Sequence, residues 1–111
     1  MYLRPDEVAQ VFEKEGFTRD TVTDKAYGFY KGEHYVYVNR EARMGRTAVV
    51  IHPNQGAKSL KYAHPAETLR SSPAYERFPR DPESETPSYV GIPHGFTSRA
   101  MLSRYLERMF G

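Results

Sequence analysis

The stretch that most limits what this chain can fold into is "AYGFYKGEHYVYVN", residues 26–39. Aromatic and β-branched residues alternate on both sides of Gly32-Glu33. A period of two broken by a glycine at the first turn position predicts an antiparallel hairpin with a type II′ turn. Closing the loop at those two residues sets the register. Phe29 then faces Val36 and Tyr27 faces Val38 on one surface, while Tyr30 faces Tyr35 and Gly28 faces Tyr37 on the other. A slip of one residue would exchange the two surfaces. A chain carrying such a hairpin must build an antiparallel sheet and cover at least one of its faces.

The sheet continues beyond the hairpin. "VNREARMGRTAVVIHP", residues 38–53, places Arg40, Arg43 and Arg46 around a turn and then runs into an apolar segment. "RTAVVIH" (46–52) is apolar on both sides, which predicts a central strand or one covered on both faces. Ahead of the hairpin, Pro5, Asp6 and Glu7 read as the first turn of a helix. Proline there sacrifices no paired N–H, and the acids complement the helix dipole. Val8, Val11 and Phe12 form its apolar stripe, Gly16 a left-handed stop, and Phe17 the hydrophobic partner of that cap.

Residues 54–87 contain five prolines (Pro65, Pro73, Pro79, Pro82, Pro87) and the polar run "RDPESETP". They read as an exposed irregular segment with at most a short helix at 66–71 and a brief strand at 75–78. "SYVGIP" (88–93) reads as a last strand. Met101, Leu102, Tyr105, Leu106 and Met109 then recur on one face of a 3.6-residue period, a helix capped by Thr97 or Ser98. A length of 111 residues suits one α+β domain spanning 1–111.

Three strings, "MYLRPDEVAQVFEKEGF", "YVYVNREARMGRTAVVIHP" and "YVGIPHGFTSRAMLSRYLERMFG", resemble the small bacterial YgaC family of cytoplasmic proteins of unknown function. "NREARMGRTA" and "GIPHGF" carry the resemblance most specifically. That family is grouped by fold with the N-terminal domain of the competence regulator TfoX. The resemblance implies a two-layer α-β(3)-α-β(2)-α arrangement, an antiparallel sheet with helices mainly on one face. It brings no catalytic residue with it.

Candidate functional residues come from the hairpin and its neighbour. Tyr30, Tyr35 and Tyr37, joined by Val50, share the sheet face opposite Phe29 and Val36. Helices cover one face in a two-layer fold, so this one meets water, the middle segment or a partner. Tyrosine is amphipathic and enriched at interfaces, so these four residues are candidates for a homodimer or protein-partner contact, with Tyr37 at its centre. Arg40, Arg43 and Arg46 beside them would convert the same face into a platform for single-stranded RNA or DNA, rings stacking bases and guanidiniums holding phosphate. A third reading comes from "GEH" at residues 32–34 and "VIHP", which loosely resemble HicA-type toxin ribonucleases. There His34 would be the general base for 2′-OH attack, with Glu33 in place of their serine.

Other chemistry finds no foothold. The chain has no cysteine, which removes disulfides, thiol nucleophiles and thiolate metal sites. His34, His52, His64 and His94 show no ligand spacing, so neither a metal nor any other cofactor is expected. There is no G-x-S-x-G, no glycine-rich phosphate loop and no Rossmann pattern. "MYLRPDEVAQ" contains no apolar run, which excludes a membrane span there and gives the cytoplasm as the expected compartment. The net charge is +2, yet residues 1–87 are balanced, and the excess comes from Arg99, Arg104 and Arg108 against Glu107. The first expectation is therefore a non-enzymatic binding or regulatory module acting through protein contacts, with nucleic-acid binding as the alternative.

Overall fold

The computed structural model describes residues 1–111. Helix α1 (Pro5–Lys14) leads into four strands, β1 (Thr18–Val22), β2 (Ala26–Lys31), β3 (His34–Asn39) and β4 (Val49–Ile51). A 3-10 turn (Pro53–Gln55) runs into the one-turn helix α2 (Gly56–Ser59), followed by β5 (Arg70–Ser72), β6 (Tyr89–His94) and α3 (Arg99–Phe110). The fold is α+β, but the element order is α-β(4)-α-β(2)-α, one strand more than expected. All neighbours in the six-stranded sheet are antiparallel, in the order β1-β2-β3-β4-β6-β5.

The hairpin register follows from the alternation as anticipated: Phe29 pairs Val36, Tyr27 pairs Val38, Tyr30 pairs Tyr35 and Gly28 pairs Tyr37. Gly32 takes φ +59° while no non-glycine residue has positive φ, which fits a type II′ turn. The stop of α1 also forms as read. Gly16 has φ +91°, its N–H donates to the Glu13 carbonyl at 3.2 Å, and the Phe17 N–H donates to the Phe12 carbonyl at 3.0 Å. Phe17 then packs its ring 4.9 Å from Phe12.

The additional strand, β1, lies in the polar "TRDTV" and is exposed at every position. An edge strand with solvent on both sides shows no alternation, so pattern alone does not reveal it. Its pairing with β2 shifts between Arg19 and Thr21, leaving Asp20 as the extra residue of a bulge.

Two cores flank the sheet. On one face α1 and α3 bury Val8, Phe12, Leu102, Leu106 and Met109 against Phe29, Val36, Val38, Val49 and Ile51. In α3 the buried stripe ends on Phe110, whereas Met101, expected within it, is exposed. Ser98 is the cap, accepting from the Met101 N–H at 3.1 Å. On the other face Tyr37 and Val50 meet Ala26, Tyr75 and Phe78. The middle segment therefore does not match its expected description. Residues 66–71 form no helix and 75–78 no strand. Instead Tyr75 and Phe78 turn inward, and only about 79–87 remains a largely exposed loop.

No helix is long and apolar enough to cross a membrane.

Candidate functional site

Of the four residues expected to form an interface, two are internal. Tyr37 is 2% exposed and Val50 fully buried. The Tyr37 ring lies 5.1 Å from Tyr75 and 4.8 Å from Phe78, and its hydroxyl accepts the Arg77 N–H at 2.9 Å. Burial pushes its phenol up to about 12. The space above Gly28, expected to leave Tyr37 open to a partner, is filled. A Cβ on Gly28 would sit 2.2 Å from the Tyr35 hydroxyl. Residues 74–78 thus occupy the face that the alternation alone left vacant.

Tyr35 and Tyr30 remain accessible, and they lie at the end of the sheet where the β2–β3 turn meets the 3-10 turn after β4. There Asp20, Tyr30, Glu33, His34, Tyr35, His52, Asn54, Gln55, Arg77 and Phe110 line a cleft of about 620 Å³. The β1 bulge explains part of its chemistry. The extra residue lets consecutive side chains act on one face. The Tyr35 hydroxyl donates to Asp20 Oδ2 at 2.7 Å and receives the Thr21 hydroxyl at 2.8 Å. Arg77 stacks on Tyr35 at 5.0 Å, with Nη2 3.7 Å from Asp20. Burial, reinforced by the Asp20 carboxylate, raises the Tyr35 phenol above its ordinary value.

The two histidines of the cleft have separate environments. His52 Nδ1 accepts the Asn54 N–H at 3.0 Å, which places its proton on Nε2, and its edge meets Phe78 at 5.3 Å. Burial lowers its basicity. His34 belongs to the opposite face and packs on Phe110 at 5.0 Å. In the sequence His52 figures as the end of a strand and within the "VIHP" of the ribonuclease resemblance, with no role of its own. Nothing local in "VIHP" announces that it shares a cleft with residue 34. No group of three or more His, Asp or Glu residues is arranged to hold a metal.

Arg40, Arg43 and Arg46, in the turn after β3, do not converge on the tyrosines. Arg40 stacks on Tyr27 at 4.6 Å and donates to the Thr23 carbonyl at 2.6 Å. Tyr27 packs against the helical core, so this guanidinium lies on the other side of the sheet from Tyr37. Arg46 donates to the Ala66 carbonyl. Arg43 stays exposed beside Arg4 and Asp6. A combined Tyr–Arg platform is therefore not assembled on this sheet.

A family described as "Protein of unknown function (DUF2002)" matches residues 1–110. The chain belongs to the DUF2002 family. It is 58% identical over 111 residues to the uncharacterized protein YgaC of Escherichia coli O6:H1 (strain CFT073), an alignment covering 100% of this chain and 97% of that relative. The same values hold for the proteins of that name from Escherichia coli O157:H7 and Shigella flexneri. The resemblance read from the residues is thereby shown.

The strings that carried this resemblance to the DUF2002 family meet in the structure at one place, the segment preceding α1. Gly45, from "NREARMGRTA", has φ +80°, and a Cβ there would lie 2.0 Å from the Leu3 carbonyl oxygen. Gly95, from "GIPHGF", is equally close-packed: its Cβ would lie 2.5 Å from the Arg46 carbonyl oxygen and 2.8 Å from Tyr2. Leu3 N–H donates to the Phe96 carbonyl at 2.7 Å. The arginine turn is thus a clasp on the N-terminal segment.

"GIPHGF" also supplies a deeply buried histidine, His94. The Tyr105 hydroxyl lies 2.6 Å from Ser59 Oγ, which lies 3.0 Å from His94 Nε2, and His94 Nδ1 is 3.1 Å from the Ile92 carbonyl. The carbonyl can only accept, so His94 holds its proton on Nδ1. Ser59 then donates to Nε2 and Tyr105 to Ser59. Ser59 and His94 are each 1% exposed, so this is a satisfied internal chain tying α2, β6 and α3 together.

Burial lowers the basicity of both His94 and His52. Both are neutral in the fold, whereas unfolded histidine protonates near pH 6.5. Stability is therefore full above that value and falls as pH drops below it, until the folded-state values are reached. A single histidine contributes at most about 1.4 kcal/mol per pH unit to this slope. Urea midpoints measured from about pH 7.5 to 5 check this. A flat profile would mean that His94 takes up its proton without breaking the Ser59 bond.

Proposed function

We propose that the chain is a small non-enzymatic binding module that works through protein contacts, accepting a Lys- or Arg-bearing segment of a protein partner in the cleft at the sheet end. The observation that carries this reading is the composition of the cleft. Tyr30, 41% exposed, and the edge of Tyr35 stand beside the carboxylates of Asp20 and Glu33. Against these the cleft offers a single guanidinium, Arg77, itself shared with Asp20. The open face of Tyr30 and the unpaired carboxylate of Glu33 favour a cation. Solvent-exposed pairs of this kind contribute little individually, so binding strength would rest on the tyrosines and on shape.

The ribonuclease reading gains one point from the structure, the second imidazole, His52, in the same cleft as His34. Against it, two carboxylates repel phosphate, and His52 has Nδ1 committed to Asn54. On the binding-module reading RNA incubated with the wild-type chain stays intact, and cleavage that His34→Ala abolishes would favour the ribonuclease instead.

The binding proposal is tested by capture from lysate treated with nuclease, comparing the wild type with a Tyr30→Ala, Glu33→Lys variant. Both positions are exposed, so the variant should remain folded. A protein retained by the wild type and lost by the variant is the expected outcome. Retention that disappears with nuclease, or that the variant does not affect, would refute the assignment.

A further inference from the structure

A second depression lies between residues 61–64 and α3, away from the sheet-end cleft. It measures about 420 Å³, within the range of small-ligand sites, which run from about 300 to 1,000 Å³. Tyr62, Ala63, Phe96, Met101 and Tyr105 form its apolar lining, and every charged or ionisable side chain around it other than tyrosine is basic: Lys61, His64, Arg104 and Arg108.

What distinguishes these residues is that they line one groove with no acid among them, and none of the three permanent cations is drawn into an ion pair. Arg19, Lys25, Arg70, Arg77 and Arg99 each lie 3.4–3.7 Å from a carboxylate. Lys61, Arg104 and Arg108 have no such partner. Arg104 and Arg108 project one turn apart on α3, about 6 Å along the axis. Glu107, the one acid of that helix, lines the neighbouring groove with Lys14 and Arg99, a groove that Arg104 also borders, and it forms no ion pair.

Three permanent charges and an imidazole around one small volume exceed what a single carboxylate can neutralise. A phosphate monoester carries nearly two negative charges and presents three acceptor oxygens, which suits convergent guanidinium and ammonium donors. The lining adds a requirement for something flat. Tyr62 is 40% exposed, with Arg108 already 5.7 Å over its ring, and Met101 is exposed at the rim. Bases stack on such aromatic surfaces with little sequence preference.

We propose that this groove binds a nucleotide-type ligand, its phosphate held by Lys61, Arg104 and Arg108 and its base laid against Tyr62 and Met101. Two sources offer this same chemistry, a free nucleoside monophosphate and the 5′ end of a single strand.

Titration of the full chain with 5′-AMP, adenosine, inorganic phosphate and a 5′-phosphorylated single-stranded RNA, followed by calorimetry and amide chemical shifts, tests it. AMP should bind more tightly than phosphate or adenosine, and shifts should concentrate at residues 61–64 and 101–108. Arg104→Ala and Arg108→Ala, both exposed and so expected to fold, should each weaken binding by about tenfold, equivalent to about 1.4 kcal/mol. Arg43→Ala, exposed but outside the groove, should leave it unchanged. Equal affinity for AMP and the RNA supports the free nucleotide as the source, and much tighter binding of the RNA supports the strand end. No shift at these residues with either probe at millimolar concentration would overturn the proposal. So would undiminished binding by the Arg104→Ala, Arg108→Ala double variant, or capture at these residues of an acidic aromatic peptide in place of nucleotides.

Discussion

Tyr37→Glu should lower the stability of the fold by about 3–5 kcal/mol, the range for a buried charge left without a partner. The ring it removes is enclosed by Tyr75 and Phe78, and its hydroxyl satisfies the Arg77 N–H. A carboxylate in its place would meet aromatic walls and leave that N–H to find a new acceptor. Domains of this size have only about 5–15 kcal/mol in total, so a fall in melting temperature of tens of degrees is expected. Tyr30→Glu, on the same face but exposed, should change stability by no more than about 0.5 kcal/mol. Thermal and urea denaturation of the two variants makes the comparison. If Tyr37→Glu keeps wild-type stability, residues 74–78 are not seated on the sheet and the face is open to a partner after all.

Gly45→Ala is the second large effect. At φ +80° an alanine pays the left-handed penalty of about 1–2 kcal/mol. Its Cβ would also fall 2.0 Å from a backbone oxygen, that of Leu3, which cannot swing aside like a side chain end. Displacing Leu3 disturbs its bond to Phe96 and its place in the helical core, adding about 1–3 kcal/mol of overpacking strain. Gly32→Ala separates the two contributions. Its φ is +59°, and a Cβ there meets nothing within 4 Å, so it should show the conformational penalty alone. Equal losses in the two variants, read from urea midpoints at constant m, would show that the clasp yields without strain.

These two positions also mark where sequence reasoning reaches and where it stops. The β2–β3 register was legible because strict alternation and a turn glycine leave one pairing that buries Phe29 and Val36 together. The stop of α1 was legible because Gly16 and Phe17 occupy adjacent, chemically distinct cap positions. The cover over Tyr37 was not. Tyr75 and Phe78 are three residues apart in a proline-rich segment without repeating backbone geometry, so no period signals that both turn inward. The bulge that delivers Asp20 to Tyr35 depends on a ladder offset that an all-exposed strand does not encode in hydrophobicity. The arginines of residues 40–46 were visible as charges, but their destinations, a tyrosine and carbonyls of distant loops, are set by tertiary placement. Likewise Ser59 and Tyr105 gave no sign of meeting His94 across 35 and 46 residues of chain from Ser59.

The position of β6 between β4 and β5 governs how this molecule can be made on a ribosome. The β1–β4 meander needs only neighbouring chain to pair and can form as it emerges. The outer edge of Val49–Ile51, however, has no partner until residues 92–94 have left the exit tunnel, and α3 follows later still. Until then an apolar three-residue edge and most of one sheet face are open to whatever is nearby. Nearly the entire polypeptide must therefore be released before the nascent chain stops being adhesive. A translational pause after Val49–Ile51 has emerged and before residues 92–94 have done so would prolong that interval, whereas an earlier one would not expose this edge at all.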